Sequence, residues 1–177
     1  MKVSRRGVVS TVVLAFCAMW ATPAMVLAQS AQSPKVLNRD EASKILPPSV
    51  FFRGQSAAIQ GRNSAGLRLA DDKLVLVALV DTSGYASSVQ QKYQAYLLTE
   101  VPLRIGDQTL KPGAYGFGFL EDGKMVVMDI GGNDLLHATT TRDEKLARPT
   151  PLQIISEAGQ VRLYLGRSYV PISIAGK

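Results

Sequence analysis

Cysteine, tryptophan and histidine are almost absent from this sequence, which has one of each among 177 residues: Cys17, Trp20 and His137. A disulfide needs two cysteines, and zinc sites draw mainly on cysteine and histidine, so neither is expected here. A Ser-His-Asp triad would depend on His137, and no Gly-x-Ser-x-Gly motif accompanies it. We therefore expect no cofactor and no cysteine-dependent catalysis.

Residues 1–28 have the three parts of a cleavable signal peptide. The basic start includes Arg5 and Arg6, an apolar stretch covers 8–20, and Val26–Ala28 places small residues before a cut after residue 28. The paired arginines fit the twin-arginine route and the general secretory route equally. The apolar stretch is short for an uncleaved membrane anchor. The sequence predicts an exported protein, periplasmic or secreted.

Removal of this segment changes the composition of what remains. Cys17 and Trp20 leave with it, and the bulky Phe16 before Cys17 argues against a lipid anchor. Three of the 20 basic residues and none of the 14 acidic ones lie in 1–28, so the formal net charge falls from +6 to +3. This scattered charge gives no reason to expect nucleic acid or an anionic membrane as partner.

A polar N-terminal lead segment and a short helix are expected in residues 29–48. Asn38 can cap a helix, Glu41 completes a capping box, and Pro47-Pro48 stops it. Residues 49–177 are expected to form a single β domain.

Short β-rich runs separated by turn residues follow the helix. Residues 73–81 read as a central strand that is apolar on both faces, and Asp122-Gly123 is a strong hairpin signal. Residues 131–150 read as irregular, with one helical turn near 143–147. The pattern predicts an all-β antiparallel sandwich or flattened barrel of about eight or nine strands with a short N-terminal helix.

The strand at 114–119 alternates aromatic residues with alanine and glycine. Its rings would serve the core, while the bare face of Gly116 and Gly118 would admit a backbone, an overlying side chain or a ligand.

Arginine, tyrosine and amide side chains recur between residues 53 and 96, and such groups line polar pockets and protein contact surfaces. Arg53 and Gln55 are expected to share a strand face, and Tyr85 lies in a loop of small residues. The alternative is a structural role, in which an arginine pairs with an aspartate and the tyrosine hydroxyls form hydrogen bonds with polar groups at the edge of the sandwich. The candidate binding residues are Arg53, Gln55, Gln60, Arg62, Asp81, Tyr85, Tyr93 and Tyr96.

A glycine-containing loop supplies the weak metal candidates Asp129, Asp134 and His137. A turn in which Asn133 and Asp134 bond their own backbone explains the same residues. The adjacent carboxylates Asp71-Asp72 read as a hairpin turn rather than a catalytic pair.

One segment carries a resemblance to known proteins. Leu110, Gly113 and Tyr115 form an L-x-x-G-x-Y turn within 103–130, which resembles secreted bacterial β-sandwich domains of unknown function. Phe51–Gln55 and Asp81–Tyr85 are similar to segments of small uncharacterised exported bacterial proteins. The resemblance implies a β-sandwich and export, and it implies no activity.

The leading interpretation is an exported noncatalytic binding or interaction module. Its partner would be a small molecule or a protein of the cell envelope. The alternatives are a carboxylate-based hydrolase that acts on an envelope or extracellular polymer, and a structural component of a surface assembly.

Overall fold

The structure is a computed structural model that describes residues 34–175. The expected signal segment, with Cys17 and Trp20, lies outside the described residues, as does most of the polar lead. Within 34–175, no helix combines the length and apolar character needed to cross a bilayer.

Fourteen strands and two short helices make up the described part of the chain. In chain order these are β1 (Lys35–Leu37), α1 (Arg39–Ser43), β2 (Ser49–Phe52), β3 (Gln55–Arg68), β4 (Leu74–Val80), α2 (Ser87–Gln90), β5 (Ala95–Thr99), β6 (Leu103–Ile105), β7 (Gln108–Leu110), β8 (Gly113–Phe119), β9 (Lys124–Met128), β10 (Asp134–Thr139), β11 (Thr141–Arg142), β12 (Leu152–Glu157), β13 (Gln160–Leu165) and β14 (Ser168–Ile174).

The strands form two open antiparallel sheets. The first has the order β1-β3-β4-β5-β8-β9-β10, with β2 also paired to β3, and the second has the order β12-β13-β14-β6-β7, with β11 paired to β14. The main core lies between the sheets. Of the two predicted architectures, the structure is therefore the sandwich.

Central strands bury both faces. In β4, Val75 and Val77 face the main core, whereas Leu76 and Ala78 pack beneath α1 on the outer face of the first sheet. The prediction of a doubly covered strand at 73–81 is confirmed, because α1 and the β2–β3 hairpin cover the outer face that solvent would otherwise reach.

Local sequence signals identify several elements correctly. The Asn38 side chain accepts from the amides of Asp40 and Glu41, and the Glu41 carboxylate accepts from the Asn38 amide, which completes the predicted capping box. The turn at Asp122-Gly123 connects β8 to β9 as predicted.

Two sequence predictions are wrong. Residues 34–175 contain fourteen strands rather than about eight or nine. Residues 131–150 are not merely irregular, because β10 pairs with β9 and β11 with β14, and 143–147 form no helix. These strands carry weak local signals and form because a neighbouring strand offers a hydrogen-bonding edge.

The β3–β4 ladder is interrupted by a bulge. Ile59 pairs with Val80 and Ser64 with Ala78, so residues 60–63 oppose a single residue of β4. The Ser64 hydroxyl donates to the carbonyl of Gly61 at 2.7 Å and holds the bulge in shape. Such bulges redirect side chains at sheet edges.

Candidate functional site

Two of the predicted binding residues, Tyr85 and Tyr93, form a buried aromatic cluster with Phe52. The rings of Phe52 and Tyr93 stack with centroids 3.8 Å apart, and Tyr85 meets both edge-on. The Tyr85 hydroxyl donates to the carbonyls of Phe52 (2.9 Å) and Gln55 (3.1 Å). Tyr85 and Tyr93 are 7% and 1% exposed, so they stabilise the outer face of the first sheet.

The glycine face of β8 lies under this cluster. A Cβ at Gly116 would approach Phe52 Cε2 at 2.7 Å and Tyr93 Cδ2 at 2.8 Å, and one at Gly118 would collide with the carbonyl of Lys92. Overlying side chains and backbone therefore occupy the face, which was one of the outcomes predicted for it.

The Tyr93 hydroxyl is buried and has no hydrogen-bond partner among the described residues. Burial, with smaller contributions from Tyr85 and Tyr96, raises the pKa of Tyr93 well above its ordinary value. Such a group stays neutral at physiological pH.

Arg53 does not share a strand face with Gln55, in contrast to the prediction. Arg53 and Gly54 form the two-residue turn between β2 and β3, with φ values of 48° and 81°, as a type I′ hairpin requires. The Arg53 amide donates to the carbonyl of Ile130 at 2.8 Å, and its side chain lies against Gly132. Arg53 thus connects the hairpin to the β9–β10 turn.

Of the other predicted binding residues, Tyr96 packs against this cluster, whereas Gln60, Arg62 and Asp81 do not share a pocket with it. Gln60 lies in the β3 bulge and donates weakly to the carbonyl of Val80 at 3.4 Å. Asp81 accepts from the amide of Ser83 at 3.0 Å, and this hydrogen bond lowers the pKa of Asp81. Tyr96 is half-buried in β5, where burial raises its pKa. Neither Arg53 nor Arg62 pairs with Asp81.

The candidate metal ligands serve a turn and a surface ion pair. Asp129 accepts from both the amide and the side chain of Asn133 at 2.9 Å, and these hydrogen bonds lower the pKa of Asp129. Asp134 lies 2.8 Å from Lys92 and 3.5 Å from His137. Among the described residues, no three histidine, cysteine or acidic side chains converge as a metal site.

Arg62 lies elsewhere, in a groove between the open edges of the two sheets. We call this cavity of about 690 Å³ the edge groove. Three chain segments form it: the β1–α1 junction, the β3 bulge and the start of β12. Its lining residues are Val36, Leu37, Asn38, Arg39, Arg62, Asn63, Ser64, Ala65, Thr150, Pro151, Leu152, Gln153 and Ile154.

The lining of the edge groove is basic and amide-rich. Arg39 and Arg62 are exposed, and no aspartate or glutamate contributes to the lining. Arg39 lies 3.3 Å from the neighbouring Asp40, but both side chains are largely exposed and the pair is weak. Arg62 has no carboxylate partner among residues 34–175. Gln153 carries a buried amide nitrogen without a hydrogen-bond partner there.

Three further grooves on the described surface also lack carboxylates. They lie beside Arg104, Lys111 and Gln60, the last of them shares Arg62 and Asn63 with the edge groove, and none has an aspartate or glutamate in its lining. A glycosidase-type mechanism needs two carboxyl groups that face one cleft. These four grooves, the edge groove included, do not provide that arrangement.

Sequence reasoning singled out Arg62 but missed Arg39, Asn63 and Gln153. Arg39 could have been identified from its position directly after the predicted helix cap Asn38. No local pattern indicates that Gln153 lies in the same groove as Arg62. Comparison of the chain with protein-family models, curated proteins and solved structures gives no significant match.

Proposed function

We propose that this protein is an exported, noncatalytic binding module and that its ligand, an anionic group of a small molecule or envelope protein, occupies the edge groove. The observation that carries the proposal is the lining: two exposed arginines and several amides, with no carboxylate. Export is supported by the basic, apolar and small-residue pattern of residues 1–28.

Arginine suits this role because its planar guanidinium donates two parallel hydrogen bonds to a carboxylate or phosphate. Arg62 has no competing carboxylate among the described residues, so an arriving anion displaces only water. The absence of carboxylates from the described grooves favours binding over the hydrolase alternative.

Citrate titration of residues 29–177, followed by backbone NMR shifts, tests the proposal. We expect shifts at Asn38, Arg62 and Gln153, and we expect Arg62→Gln to weaken citrate binding about tenfold or more, as loss of a charge-assisted hydrogen bond implies. Arg104→Gln is the matched control, because Arg104 lies in a different groove. Equal affinities of the two variants, or shifts confined to other surfaces, would contradict the proposal.

A further inference from the structure

The two lateral sides of the sandwich differ in how they close. On one side β7 of the second sheet meets β10 of the first, and the Gln108 side chain donates to the carbonyl of His137 at 2.8 Å. On the other side β12 faces β1 and β3 across the edge groove. In the described residues, no strand pairs with the outer edge of β12.

Main-chain groups of β12 point toward that open side. The amide of Gly166 donates to the carbonyl of Pro151, and Glu157 pairs with Gln160 at the hairpin turn. Because the bonding direction alternates along an antiparallel strand, Ile154 and Ser156 direct their amides and carbonyls away from β13. Ser156 is exposed, so its amide and carbonyl are available to a further strand, and Ile154, which is 5% exposed, continues the same edge.

The β12 edge lacks the features that protect other edges. Its six residues pair with β13 without a register shift, and no proline or lysine interrupts them. In contrast, β7 has only three residues, and β10 contains a register shift beside the ion pair of Asp134 with Lys92. An extended segment would therefore find its best open template at β12.

The positive charge of the edge groove favours an acidic partner over a second copy of this chain. Arg39 and Arg62 border the same groove as Ile154. A second copy that docked through this edge would bring like charges together, which is unfavourable. Carboxylates of an acidic segment would instead meet two arginines.

We propose that an extended acidic segment of a partner protein adds to the open edge of β12 as an extra strand, with its carboxylates on Arg62 and Arg39. This inference rests on the proposed function of the edge groove and specifies its ligand. Main-chain hydrogen bonds would supply affinity, and the arginines would supply specificity.

The experiment uses a short end-blocked peptide of alternating threonine and glutamate, titrated into residues 29–177. Ser156→Pro removes one outward amide and leaves the ladder to β13 intact, since Ser156 is exposed and at the edge. We expect this variant to bind the peptide at least about fivefold more weakly, whereas the matched control Ser156→Ala, which keeps the amide, binds like the wild type. Citrate affinity should be the same in both variants.

Hydrogen exchange on the wild type gives a second measurement that needs no variant. Bound peptide should slow exchange at the amides of Ile154 and Ser156, and a lysine-for-glutamate peptide should not. If citrate binds and the glutamate peptide neither binds nor protects these amides, the strand-addition proposal is wrong and the proposed function stands. If Ser156→Pro and Ser156→Ala bind the peptide equally, or if the edge instead dimerises the chain, the inference is also overturned. Failure of both probes overturns both proposals.

Discussion

The rings of Phe52 and Tyr93 stack at 3.8 Å directly over Gly116. The stack fastens the β2–β3 hairpin to β8, although Phe52 and Gly116 are 64 residues apart in the sequence. The bare glycine in β8 is what permits the approach, because a side chain there would occupy the same volume.

Gly116→Ala should destabilise the protein by about 1–3 kcal/mol, the usual cost of overpacking a well-filled site. The new Cβ would lie 2.7 Å from Phe52 and 2.8 Å from Tyr93, closer than real contacts allow. Urea unfolding measures the change. Gly84→Ala is the control, since its Cβ would meet only Gln55 at an ordinary 3.7 Å, and an equal loss in both variants would refute the packing argument.

Tyr85 and Tyr93, whose rings pack edge-on, should respond oppositely to removal of their hydroxyls. Tyr85→Phe should cost about 1–2 kcal/mol, because the carbonyls of Phe52 and Gln55 lose their shared donor. Tyr93→Phe should be neutral or stabilising, because the removed hydroxyl is buried without a partner among the described residues. Chemical denaturation of the two variants gives the comparison, and a large loss for Tyr93→Phe would reveal a partner.

Stability should decline in alkaline solution partly through Tyr93. Burial raises the pKa of its phenol in the folded protein, while the unfolded chain retains a value near 10. The folded state thus holds a proton that the unfolded state releases, so this contribution is complete below pH 10 and is lost as the pH rises above it. Unfolding free energies measured across this range should fall more gently for Tyr93→Phe. Identical slopes would contradict the assignment.

Asn38→Ala should lower stability by about 1 kcal/mol, since the Asn38 side chain caps two amides of α1. Asn38→Asp should retain most of the stability that the cap supplies, because aspartate accepts the same hydrogen bonds. Thermal unfolding of both variants tests the cap. Because Asn38 also lies in the edge groove, loss of citrate binding by Asn38→Ala with an intact melting temperature would instead indicate direct contact with the ligand.

Local chemistry made much of the fold predictable. The capping box at Asn38 and the hairpin turn at Asp122-Gly123 depend on residues only a few positions apart, so their geometry follows from the sequence. By contrast, β10 pairs with β9 despite weak strand signals, and Arg53 adopts a turn conformation that glycine or asparagine would favour. In both places a tertiary contact prevails over local preference.

The same distinction between local preference and tertiary contact applies to the candidate site. By itself the sequence determined an all-β chain with one capped helix, a single histidine and a single cysteine, and arginine and tyrosine between residues 53 and 96. Only the tertiary structure decided that Tyr85 and Tyr93 fill a core while Arg62 faces a groove with Arg39 and Gln153. The physical reason is that packing and a bulge in β3, rather than residue type, determine which polar groups reach the surface together.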